Sequence, residues 1–71
     1  MSVNVPCPMP GTLLKVFVKV GDTVAMDEEI ALLEAMKMEV AICAPSAGRI
    51  CEVLAQETVA VKHDQVLFVI E

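Results

Sequence analysis

Sliding the 71-residue chain along itself by 37 positions brings its two halves into register without a gap. Pro8 falls on Pro45 and Gly11 on Gly48, while Leu13 falls on Ile50, Val16 on Val53 and Val24 on Val61. Asp27 falls on Asp64, Glu28 on Gln65, Ile30 on Leu67, Leu33 on Ile70 and Glu34 on Glu71. Proline and glycine set backbone shape, because one fixes φ and the other frees it. The aliphatic positions set what is buried. When both kinds recur in one register, the economical reading is one domain of two halves with the same fold, about 1–37 and 38–71.

Each half reads as short strands. Residues 13–20, Leu-Leu-Lys-Val-Phe-Val-Lys-Val, are rich in β-branched side chains and partly alternate. Gly21-Asp22 marks a turn, and Asp27-Glu28-Glu29 a second break before the apolar run 30–33. The second half has apolar runs at 48–54 and 65–70. Residues 25–41 compete for helix, since Ala, Met, Glu, Leu and Lys are good helix formers. The partner of 25–34 is 62–71, whose Gln65-Val66-Leu67-Phe68-Val69-Ile70 prefers strand. Equivalent halves should share a class, so strand is expected in both. Short runs with frequent turns point to an all-β sandwich or barrel.

Composition limits what such a barrel can do. Phe17 and Phe68 are the only aromatic residues, so the core is aliphatic and offers little for stacking on bases. Ten acids against five bases give a net charge of −5, the wrong sign for a nucleic-acid footprint. Cys7, Cys43 and Cys51 include no C-x-x-C pair and are expected as reduced, partly buried thiols. Met1 to Val5 has neither a basic start nor a long apolar run, so no signal peptide is expected. No apolar stretch approaches the roughly 20 residues of a membrane helix. These features fit the cytoplasm or another intracellular compartment, without membrane insertion. His63 reads as a solvated turn residue, and no catalytic set, metal cluster or phosphate loop stands out.

The repeat singles out one lysine. The equivalent of position 37 would be 0 or 74, just past either end of the chain. In a two-fold arrangement the 35–38 turn therefore lies opposite the termini, with Lys37 exposed at its tip. Strands run in through Leu32 and Leu33 and out through Val40 and Ile42. Gly, Asn and Asp dominate tight hairpins, whereas this turn is Ala35-Met36-Lys37-Met38. Met36 and Met38 would ordinarily be core filler. Flanking an exposed tip, their flexible thioethers suit a surface read by several partners.

Glu34-Ala35-Met36-Lys37-Met38 resembles the attachment motif of biotinyl domains in biotin-dependent carboxylases, decarboxylases and transcarboxylases. The resemblance extends to Cys7-Pro8-Met9-Pro10-Gly11, to Gly21-Asp22-Thr23-Val24 and to Ala44-Pro45-Ser46-Ala47-Gly48, and so runs over nearly the whole chain. It implies a flattened barrel of two four-stranded antiparallel sheets with pseudo-two-fold symmetry. It implies biotin joined covalently to Lys37. Glu34, Ala35, Met36 and Met38 become the surroundings read by biotin protein ligase, by a biotin carboxylase and by a carboxyltransferase or decarboxylase subunit. The chain is then a carrier and not a catalyst. One departure is Gln56-Glu57-Thr58-Val59, which replaces the Gly-Asp turn in the second half and leaves room for a wider turn there. The ungapped repeat leaves no room for the thumb loop of some acetyl-CoA carboxylase carriers, so a thumbless carrier is expected.

Two rival readings share the fold. A lipoyl domain uses the same tip lysine for acyl transfer, but usually within Asp-Lys-Ala. An unmodified docking barrel would need no particular lysine.

Overall fold

A computed structural model describes residues 2–71, and every regular element in them is a strand. The strands are β1 (Val3–Pro6), β2 (Gly11–Val16), β3 (Thr23–Val24), β4 (Glu29–Ala35), β5 (Met38–Cys43), β6 (Gly48–Val53), β7 (Ala60–Val61) and β8 (Val66–Ile70). They form two four-stranded antiparallel sheets, ordered β1-β8-β6-β3 and β5-β4-β2-β7. Adding 37 to each residue of the first half converts one sheet into the other. Val3 pairs with Ile70 and Val40 with Leu33; Leu13 pairs with Leu33 and Ile50 with Ile70; Val24 pairs with Gly48 and Val61 with Gly11. Each sheet takes two strands from each half, so the halves interlock and share one core.

That core is aliphatic except for Phe68 and Cys7. All its buried members but Ala35 and Ala55 fall into equivalent pairs: Val5 with Ile42, Cys7 with Ala44, Leu13 with Ile50, Val24 with Val61, Ile30 with Leu67, Ala31 with Phe68, and Leu33 with Ile70. Phe68, the largest fully buried side chain, stands where the other half has Ala31. Large and small at equivalent places let one aromatic ring fit into a core otherwise built twice.

Bulges explain how consecutive residues in β4 and β8 both point inward. The β4–β5 register passes from Glu29 with Cys43 to Ala31 with Ile42, leaving Ile30 extra. The β1–β8 register passes from Phe68 with Val5 to Val66 with Pro6, leaving Leu67 extra. An extra residue locally bends a strand, and Ile30 and Ala31, like Leu67 and Phe68, are all buried.

The polar breaks repeat atom for atom. Asp27 and Asp64 adopt φ of 68° and 65°, and their amides donate to the carbonyls of Ala44 and Cys7. The side-chain oxygens Oε1 of Glu28 and Gln65 accept from the amides of Ala25 and Lys62, both at 3.0 Å. An acceptor oxygen is needed at this place, which is why Glu and Gln exchange across the repeat.

Two expectations need correcting. Strand was expected over 13–20, but β2 ends at Val16. Beyond it Phe17 donates one last bond to Ile30, and the chain crosses to the other sheet to form β3. The second-half turn is also no wider than the first. Gly21 donates to the Ile50 carbonyl at φ 98°, and Thr58 donates to the Leu13 carbonyl at φ 66°. Thr58 thus takes the left-handed place of glycine, despite the steric penalty on a β-branched residue.

Candidate functional site: the β4–β5 hairpin tip

The β4–β5 ladder is among the longest in the molecule, paired from Glu29 with Cys43 to Ala35 with Met38. Two residues close it. Met36 has φ 51° and Lys37 has φ 65°, so both central positions are left-handed, as a type I′ turn requires. This turn matches the right-handed twist of the strands and allows an abrupt reversal. Side chains other than Gly, Asn and Asp enter it at a steric cost of about 1–2 kcal/mol each. The tight ladder below holds them there.

The turn faces water. Lys37 is exposed, and among the described residues its amine takes part in no ion pair or side-chain hydrogen bond. Met36 is 88% exposed and Met38 is 65% exposed, so neither fills the core. Glu34 and Glu39 are exposed and face each other one pair below the turn. Ala35 departs from the expected recognition set, because it is 3% exposed and offers a partner almost no side-chain surface. It packs beneath the turn and supports it.

Gly11 was legible in the repeat but not as part of this site. A Cβ there would collide with the carbonyl oxygen of Glu34 and lie 3.2 Å from the Ala35 Cβ. The first residue of β2 therefore touches the base of the hairpin through bare backbone. The equivalent Gly48 lies against Glu71, where a Cβ would sit 2.5 Å from the carbonyl oxygen.

These contacts also place the tip relative to Glu71. β2 leaves Glu34 at Gly11, and the loop that follows delivers Thr23 and Val24 to Arg49 and Gly48, beside Glu71. The chain thus travels the length of a molecule 33 Å long and about half as wide. The hairpin tip lies at one end and Glu71, paired with Arg49, at the other.

The remaining candidates of the sequence lie elsewhere. His63 is exposed beside Asp64, with 3.4 Å between Nδ1 and Oδ2. Cys7 is buried and donates from Sγ to the Met9 carbonyl, Cys51 is half-buried, and Cys43 is exposed on β5. All three are free thiols.

An exposed lysine in a two-residue turn between two matching halves can be compared with known proteins. The family described as "Biotin-requiring enzyme", the biotin/lipoyl attachment domains, matches residues 3–70. The chain belongs to this family. The Biotin/lipoyl attachment protein of Bacillus subtilis is 42% identical over 65 residues, 92% of this chain and 89% of that one. The Biotin carboxyl carrier protein of Streptococcus mutans is 55% identical over 47 residues, 66% of this chain and 36% of that protein. The urea carboxylase of Kluyveromyces lactis superposes with a TM-score of 0.92 at 24% identity; the match covers 100% of this chain and 6% of that one, and shows the fold. This biotinyl domain is thus a non-catalytic carrier unit by family, and it spans about a third of the Streptococcus relative. Among the described residues no helix is long and apolar enough to cross a membrane.

Proposed function

We propose that Lys37 carries biotin and that the domain moves a carboxyl group between a biotin carboxylase site and a carboxyltransferase or decarboxylase site. The observation that carries this reading is the turn itself. Two left-handed residues put one amine at the end of a paired ladder, in no ion pair or side-chain hydrogen bond among the described residues. The site fits the group: an amine without competing partners is what an amide bond to a carboxylic acid requires.

The chain's own residues do three things. Lys37 supplies the nitrogen that forms the amide, losing a proton to the ligase that activates the acid. The β4–β5 ladder fixes where the Lys37 backbone stands, so motion is confined to the side chain beyond it. Met36 and Met38 supply apolar contact surface on both sides of the lysine, and Glu34 adds charge at the rim. When bound, biotin supplies a ureido nitrogen able to accept and release a carboxyl group. Tethering raises its local concentration at both partner sites.

Biotin is favoured over a lipoyl group by Met36 and Met38, since both flanks are apolar and outward. The relatives called carboxyl carrier proteins add to this. A streptavidin blot of the native protein tests it: a positive band supports biotin, and a chain that reacts only with antibody to lipoyl-lysine overturns it.

A further inference from the structure

We propose that Met36 and Met38 form a reversible oxidation site, and that conversion of these thioethers to sulfoxides by a hydroperoxide turns the carrier off. The inference rests on the reading of Lys37 above. Met36 is the most exposed of the large apolar side chains described, at 88%, and Met38 follows at 65%. Met9 is half-buried against the core. Neither phenylalanine shields the tip, since Phe68 is buried in β8 and Phe17 lies in the loop after β2. Peroxide therefore reaches both sulfurs without any opening of the fold.

The step balances. A sulfur lone pair attacks one peroxide oxygen, the S–O bond forms as the O–O bond breaks, and a proton shift releases water. Sulfur loses two electrons and the peroxide gains them. The product is polar and chiral where the thioether was apolar. Inside a core this change disrupts folding. At this tip both side chains are already in water, so the barrel keeps its structure. What changes is the apolar surface beside Lys37 on which a partner closes. Methionine sulfoxide reductases reverse the change with thiol electrons. Met26, 64% exposed just after β3 and outside the hairpin, provides an internal control.

The experiment treats the full chain with hydrogen peroxide, follows with a dithiol that restores Cys43 and Cys51, and maps sulfoxides by peptide mass spectrometry. Oxidised and unoxidised chains are loaded with biotin. Label uptake from radioactive bicarbonate is then measured with a biotin carboxylase and ATP. We expect Met36 and Met38 to oxidise ahead of Met9, thermal unfolding to be unchanged, and labelling to slow about tenfold, the loss of one buried apolar contact. Methionine sulfoxide reductase restores the rate. Met26→Leu loses as much on oxidation as the parent chain, whereas Met36→Leu/Met38→Leu, compared with its own unoxidised rate, loses nothing. Unchanged labelling with both sulfoxides confirmed overturns the proposal, as does an equal oxidative loss in the double variant. An unoxidised chain that takes up no biotin overturns the Lys37 reading itself, a distinct result.

Discussion

Ala35 and Met38 stand opposite each other as the last pair of the β4–β5 ladder, with only Met36 and Lys37 between them. Both intervening residues are left-handed, where their side chains are disfavoured. The hairpin accepts local instability in order to end on a lysine. Replacing the pair by Met36→Asn with Lys37→Gly supplies the preferred type I′ residues. Relief of about 1–2 kcal/mol at each position, less about 0.5–1 kcal/mol for the chain entropy that glycine adds, should leave a net gain of about 1–3 kcal/mol in guanidinium unfolding, with complete loss of biotin attachment. A variant no more stable than the parent would show that the turn is not strained.

Thr58 offers a second test of the same physics away from the tip. It occupies the place that Gly21 holds in the first half. Thr58→Gly relieves the left-handed penalty but adds chain entropy to the unfolded state. The expected net gain is about 0.5–1 kcal/mol in denaturant unfolding, with biotin attachment unchanged.

The two buttress glycines should separate stability from function. Gly11→Ala drives a Cβ into the Glu34 carbonyl, and Gly48→Ala drives one into the Glu71 carbonyl. Backbone yields poorly, so each should cost about 1–3 kcal/mol. Only Gly11→Ala displaces the strand that leads into Lys37. Ligase kinetics should therefore slow in Gly11→Ala and stay near the parent rate in Gly48→Ala. Equal slowing in both would mean that lost stability alone is responsible.

Much of this was readable before any coordinates. The offset of 37 gave two equivalent halves, and the ladders of the β1-β8-β6-β3 sheet do reappear in the other at that offset. The tip position followed from the same arithmetic. Three features were not legible, each for a physical reason. Thr58 carries no turn signal, since threonine favours strands, and its left-handed conformation goes with a long-range bond from its amide to the Leu13 carbonyl. The end of β2 at Val16 depends on where the chain crosses between sheets, while residues 17–20 keep the composition of a strand. The burial of Ala35 depends on Gly11, a neighbour from another strand. A linear motif lists Ala35 with Met36 and Met38 but says nothing of which side chains face out.

The methionines invite a further comparison. Met36 and Met38 point into solvent without supporting the fold. Replacing either by Ala should leave denaturant unfolding within about 0.5 kcal/mol of the parent, as for ordinary surface changes. Carboxyl transfer should fall more than biotin attachment does. Equal losses in the two assays would count against separate recognition roles.

The central claim concerns a single nitrogen, and intact-mass measurement tests it most directly. After co-expression with a biotin protein ligase, the parent chain should gain the mass of one biotinyl group, and Lys37→Arg should gain none while keeping the parent's circular dichroism. A folded Lys37→Arg chain that still carries the added mass would contradict the account, because the acceptor would then be another amine.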